Sequence, residues 1–187
     1  GEIAALCQIA GPSAGIITNI GASHLEGLGS LEGIAFEKAE LARSLPSRGF
    51  LVLNNDCRYS ALFRASTKAK VISFSIEGEG DLNATDLKFN NGHSIFRLNE
   101  IEVTLPALGT HNVQNLLAAL AACVGLGIPL ESVLPGVAGI KGQSGRLEAF
   151  ELGGLHLIDD TYNANPESAR AAVRVLAGMH GFKSRVL

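Results

Sequence analysis

The chain has 187 residues, 47% of them hydrophobic and 18% charged, with a formal net charge of −3. That is enough apolar material for one good-sized core, or for one domain with part of another, and it excludes a disordered chain. The mildly acidic balance, with a pI of about 6.0, gives no electrostatic basis for binding nucleic acid or an anionic membrane surface.

Residues 2–10 predict a helix ended by Gly11-Pro12. The apolar run AGIITNI, 14–20, fits a buried parallel strand. A glycine-rich loop, 21–30, leads into SLEGIAFEKAELARSL, 30–45, which reads as one amphipathic helix with Ser30 as N-cap. At about 100° per residue, Leu31, Ile34, Ala35, Leu41, Ala42 and Leu45 share a stripe, with Glu32, Glu37, Glu40 and Arg43 opposite. Lys38 falls near the centre of the apolar stripe. A buried ammonium is costly unless paired, neutralised or modified. Lys38 therefore either snorkels past its neighbours to water or puts its tip into a polar site behind the helix.

FLVLN (50–54) and KVISFS (70–75) read as further strands around a short helix at 58–66, and this alternation implies right-handed βαβ units. The texture then turns antiparallel. Asn91-Gly92 divides two strand-like runs within 84–98, a hairpin signal, and EIEVTL (100–105) alternates. A long helix is predicted at about 111–125, with Val113, Leu116, Leu117, Leu120 and Cys123 on one side, then a short one at 130–138. A second hairpin, 146–160, turns at Gly153-Gly154; a helix over 165–179 has Pro166 at N1, and FKSRVL (182–187) looks like the entry to a strand. The longest apolar run, 116–130, is too short to span a bilayer and contains glycine and proline. Three widely spaced cysteines suggest free thiols in a reducing compartment.

Four places carry more functional groups than structure alone requires. His24, in TNIGASHLEG, follows a buried strand, where open α/β sheets place ligands, although a structural histidine fits there too. Lys38 is the second. In GTHNVQN (109–115), Asn112 and Asn115 share a helix face and either cap the helix or read the edge of a base. In IDDTYNANP (158–166), Asp159, Asp160, Tyr162, Asn163 and Asn165 crowd between a strand end and a helix start, a setting for anions and polar ligands or for ordinary loop capping. Arg146 follows a flexible glycine-rich lead, GIKGQSGR, and suits a phosphate. GLGSLEG (27–33) has the wrong glycine spacing for a dinucleotide fingerprint, no stretch matches GxxxxGK[ST], and no zinc spacing occurs.

TNIGASHLEGLGSLEGIAFEKAEL, LGTHNVQNLLAALAACVGLGIPLE, GRLEAF and LIDDTYNANPESARAAV stand in the order and character of the Mur ligases, and the chain resembles that family over nearly its whole length. These ATP-dependent enzymes build the peptide stem of bacterial peptidoglycan. The resemblance implies an α/β fold: a mostly parallel sheet flanked by helices, the P-loop-type central domain of the family, with an added antiparallel segment. Its flavour is nearest to the member that adds D-alanyl-D-alanine to UDP-N-acetylmuramoyl-tripeptide through an acyl phosphate.

By the same resemblance, Lys38 matches a lysine carbamylated by CO₂ that helps position Mg²⁺, and His24 a metal-site histidine. Carbamylation consumes a neutral amine, and its product is an anion able to meet Mg²⁺ through oxygen. Asn112 and Asn115 match adenine-side asparagines, Arg146 an arginine near the ATP phosphates, and Asp160 the acid that holds the ribose. Tyr162, Asn163 and Asn165 belong to the same motif, and Asn19 to the substrate loop. Residues 1–180 would be the central ATP-binding domain without its P-loop part, and 181–187 the start of the C-terminal domain. The expectation is a piece of a longer, monomeric enzyme of the bacterial cytoplasm, not inserted in a membrane and inactive as this piece alone. The rivals are another ligase of the superfamily, including a folylpolyglutamate synthase-like enzyme, and a non-catalytic nucleotide-binding module. A Rossmann dehydrogenase is disfavoured by its glycine spacing.

Overall fold

The computed structural model describes residues 1–21, 29–90, 92–163, 166–179 and 181–187. His24 and Asn165, and Asn91 of the first hairpin, lie outside the described residues. The chain forms two compact units, Gly1–Asn83 with Leu117–Pro129, and Ala84–Leu116 with Leu130–Leu187.

The first unit opens with α1 (Glu2–Ala10), closed by Gly11 in the left-handed conformation, whose N–H donates to the Cys7 carbonyl. Then follow β1 (Ala14–Ile17), α2 (Leu31–Ser44), β2 (Phe50–Asn54), α3 (Ser60–Ser66) and β3 (Lys70–Ser75). Ser30 caps α2 as expected, its Oγ accepting from Gly33 N at 3.0 Å. β1, β2 and β3 pair in parallel, with Ile16 beside Val52 and Val52 beside Ile72. Residues buried on both faces explain the near-continuous apolar runs of β2 and β3. Ala35, Ala39 and Ala42 of α2 are fully buried with Leu51, Leu53 and Phe63. Small side chains on that stripe let the helix lie close to the strands.

β4 (Leu82–Asn90) begins beside β3, Phe74 against Leu82 and Ser75 against Asn83. The rest of β4 belongs to the second unit and pairs antiparallel with β5 (His93–Leu98), which pairs with β6 (Ile101–Leu105). The hydrogen-bonded order is β1-β2-β3-β4-β5-β6, with a separate two-stranded sheet, β7 (Glu148–Leu152) and β8 (Leu155–Asp159). This is the predicted fold class. Gly153 and Gly154, at φ 58° and 79°, make the tight β7–β8 turn that only positive φ allows without strain. α4 (Thr110–Gly125), α5 (Leu130–Val133), a 3₁₀ turn (Leu134–Gly139) and α6 (Pro166–Gly178) complete the elements. Leu108, Leu147 and Val175 form a small core in the second unit, joined by Phe89, Ile158 and Ala172.

Three expectations change. The strand at 14–20 stops at Ile17; Asn19 folds its Oδ1 onto Ile20 N at 2.8 Å, a local bond that competes with strand pairing. Residues 182–187 form no strand; Arg185 turns back and donates to the carbonyls of Ala177 (2.6 Å) and Met179 (2.9 Å) at the end of α6. Glu37, placed by periodicity on the polar side of α2, is half-buried, and its Oε1 accepts from Ile3 N of α1 at 2.8 Å. Among the described residues no helix is long and apolar enough to cross a membrane.

Candidate functional site

In the second unit, the N-terminus of α4 and two loops converge. Gly109 precedes α4 at φ 101°, and a Cβ there would lie 2.7 Å from Cε1 of His111. Glycine therefore lets the His111 ring pack on the main chain. The Gly109 carbonyl accepts from Asn112 N (3.0 Å) and Val113 N (3.3 Å), starting the helix. Asn112 Nδ2 donates to the Leu108 carbonyl at 2.7 Å, so this half-buried amide ties the start of α4 to the segment before it, a bond that caps no helix N–H. Asn115, one turn on, is exposed.

The loop before β7 presents Arg146. Arg146 N donates to Gln143 O at 3.1 Å, and the flanking Gly145 and Leu147 adopt φ 71° and 49°. Positive φ in a leucine is strained, and persists only where its surroundings hold it. Leu147 is buried, and its N–H donates to Asp160 Oδ1 at 3.3 Å. Tyr162 N donates to the Gly145 carbonyl at 2.9 Å. The Arg146 guanidinium carbon lies 4.3 Å from the centroid of the Tyr162 ring, a cation–π contact. Asp159 Oδ1 accepts from Thr161 N at 3.0 Å and shapes the turn that brings Tyr162 round. Asn163 is exposed.

His111, which the sequence reading did not select, belongs with these groups. Burial pushes its imidazole below the ordinary value; the Asp160 carboxylate opposes that shift and the Arg146 guanidinium adds to it. Its position beside Asn112 at a predicted helix start was the available signal. The result is one cluster holding a cation, a carboxylate, a phenol and an imidazole, with the Asn112 amide at the adjoining helix start. Such a set can meet an anion, accept from hydroxyls and offer polar contacts to a base.

In the first unit, Lys38 is half-buried, and its Nζ donates to the Asn19 carbonyl at 3.1 Å. The side chain lines a pocket of about 210 Å³ with Ile3, Ile16, Ile17, Thr18 and Leu41. The pocket lies at the carboxyl end of β1, where parallel sheets place ligands. The Lys38 stem lines apolar surface, and its tip meets one main-chain carbonyl of the segment after β1. Asn19, itself exposed, supplies the carbonyl through its main chain. Among the described residues no group of three or more His, Cys, Asp or Glu side chains converges to hold a metal ion.

Polar groups gather at the carboxyl end of β1 in the first unit and at the start of α4 in the second, places where α/β folds commonly hold ligands. The family model for the Mur ligase middle domain matches residues 1–123, and the chain belongs to the Mur ligase family. It is 36% identical to the UDP-N-acetylmuramoyl-tripeptide–D-alanyl-D-alanine ligase of Escherichia coli, over 100% of this chain and 43% of that one. The structure resembles that of MurF from Acinetobacter baumannii, with TM-score 0.86, 36% identity, and 96% of this chain and 40% of that chain covered. It also resembles MurF from Thermotoga maritima in complex with ADP, with TM-score 0.82 and 27% identity over 97% of this chain and 43% of that chain. The chain spans about two fifths of the length of the curated relatives it matches, 41% for that of Bacillus subtilis.

Proposed function

We propose that the complete polypeptide carrying this chain is an ATP-dependent ligase that joins D-alanyl-D-alanine to UDP-N-acetylmuramoyl-tripeptide. What supports this most is likeness along the whole chain to ligases named for that reaction, 35% identity over 190 aligned residues in one case. In this reading ATP phosphorylates the terminal carboxylate of the tripeptide. The amine of D-alanyl-D-alanine attacks the acyl carbon and expels phosphate, forming the amide. Phosphorylation turns a poor leaving group into a good one. The protein's share is positioning and neutralisation of charge.

The cluster around Arg146 fits a nucleotide by its donors and acceptors. Arg146 would face the phosphates, Asp160 would accept from the ribose with the carboxylate oxygen not turned to Leu147, and Asn112 and Asn115 would flank the adenine. Tyr162 and Asn163 would border the same space; Asn19, and Asn165 outside the described residues, are proposed for contact with the substrate. Lys38 has room in its pocket for the few atoms of a carbamate, formed when neutral Nζ attacks CO₂ and loses a proton. The anion would be one oxygen ligand for Mg²⁺, with His24 a second candidate; the described residues do not complete that site by themselves. Bound Mg²⁺ would supply charge neutralisation for the phosphoryl group. We further propose that residues 1–180 are the central domain, that 181–187 begin the next, and that the complete polypeptide works as a monomer in the bacterial cytoplasm.

The test uses the complete polypeptide with ATP, Mg²⁺ and UDP-N-acetylmuramoyl-tripeptide, following phosphate release. Release that depends on D-alanyl-D-alanine is expected. Release with a single amino acid instead would overturn the amine assignment, and none with any amine would overturn the ligase. Lys38→Ala is expected to lower turnover at least about a hundredfold, with partial recovery in an added short-chain carboxylate that can stand in for the carbamate; unchanged turnover would remove Lys38 from the mechanism.

A further inference from the structure

The Arg146 loop is held from two sides. On one side it meets Asp160 and Tyr162, already described. On the other is Glu148, the first residue of β7, which no part of the reaction above uses. Its Oε2 accepts from Ser144 Oγ at 2.9 Å and from Gly145 N at 3.2 Å. These bonds close a small ring of chain around Arg146. Gly145 within it is buried and has positive φ, and a Cβ there would stand 3.1 Å from Tyr162 N. The loop therefore packs tightly against the 160–162 segment, and a side chain at that point would have to push the Tyr162 main chain aside. Left-handed backbone at Leu147 needs such anchors to persist.

We infer that Glu148 is a positioning residue: its carboxylate closes the 143–148 loop and so holds the Arg146 guanidinium over the Tyr162 ring, poised for an anion. The inference rests on the nucleotide reading of the Arg146 cluster for its purpose, but not for its geometry. A carboxylate near an anion site would repel the ligand if it acted by charge alone. Positioning requires the opposite sign of effect on removal.

The direct test is NMR of the complete polypeptide. A guanidinium over a ring face carries its neighbouring side-chain protons upfield. The chain has two tyrosines, and each is covered by one arginine: Arg146 over Tyr162 at 4.3 Å and Arg58 over Tyr59 at 5.0 Å. The second pair is an internal control. Glu148→Ala is expected to return the Arg146 signals toward ordinary positions and leave those of Arg58 unmoved. Glu148→Gln, whose amide oxygen still accepts both bonds, is expected to retain the upfield shift. Unmoved Arg146 signals in Glu148→Ala, or equal loss in both variants, would overturn the inference. In turnover, Glu148→Ala is expected to raise the KM for ATP about fivefold, and to add nothing in an Arg146→Ala background. A lowered KM, or an equal rise in that background, would also overturn it. Absence of ATP turnover in the unaltered protein would strike the nucleotide reading, while the NMR comparison would still decide the role of Glu148.

Discussion

Asp81 stands where a strand has not yet begun. β3 and β4 pair only at Phe74–Leu82 and Ser75–Asn83, so Ser73, one residue earlier, has no β4 carbonyl to meet. Its N–H and Oγ both donate instead to Asp81 Oδ2, at 2.7 and 2.8 Å, and Ser73 is only 6% exposed. These bonds hold the Asp81 carboxyl below the ordinary carboxylate range. The Ser73 N–H is the largest cause, partial burial opposes it, and the Ser73 hydroxyl and Arg64 assist. Asp81→Ala would leave a buried N–H without that acceptor, a cost of about 1–3 kcal/mol. Asp81 itself is exposed, so water can partly replace it, and the lower half of that range, about 1.5 kcal/mol, is expected. Asp81→Asn keeps an acceptor and should lose about half as much. For a chain this long the Ala variant should melt roughly 3–6 °C lower. A depressed folded value means the contribution is present above the unfolded carboxyl value of about 3.9 and lost as pH falls through the lower folded one. Urea titrations of wild type and both variants, at pH 7 and stepwise toward pH 3, measure this. Equal stability of wild type and Asp81→Ala at pH 7, or a difference that does not shrink on acidification, would refute the reasoning.

Two other outcomes follow from the same structure. The depressed imidazole of His111 contributes stability above its unfolded value of about 6.5 and loses it as pH falls. The stability difference between wild type and His111→Gln should therefore shift against wild type between pH 8 and pH 5; a pH-independent difference would contradict the burial of this ring. Gly49→Ala would place a Cβ 2.2 Å from the Ser13 carbonyl oxygen, which accepts the Phe50 N–H at 3.3 Å. That atom is main chain and cannot swing aside, so a loss of about 3 kcal/mol is expected in denaturant unfolding, and a neutral result would place this backbone contact wrongly.

What could be read in the sequence was whatever a local period or a turn encodes. The strands at 50–54 and 70–75, the Ser30 cap and the Gly153-Gly154 turn all match the structure, because each depends on neighbours within a few residues. The buried positions Ile34, Ala35, Ala42 and Leu45 of the α2 stripe were legible for the same reason. Ala39, equally buried, was not separable from a small surface residue by type alone. The carboxylates were the least legible. Glu37 on Ile3, Asp81 on Ser73, Glu148 on the Arg146 loop and Asp160 on Leu147 each accept from a main-chain N–H. Periodicity reports which side of a helix is polar, and does not report which stray donor a polar group will find.

Adjacent residues of α2 illustrate the difference. Lys38 drew notice because an ammonium interrupts an apolar stripe, whereas Glu37 drew none because it sits among other charges. In the folded unit Lys38 reaches the loop after β1, while Glu37 binds the first turn of α1, whose Ile3 walls the Lys38 pocket. The conspicuous residue lines the pocket with its own side chain, and its inconspicuous neighbour holds one wall of that pocket through Ile3. A helix shows such a pair as functional and ordinary; only the packing of α1 shows that both serve one pocket.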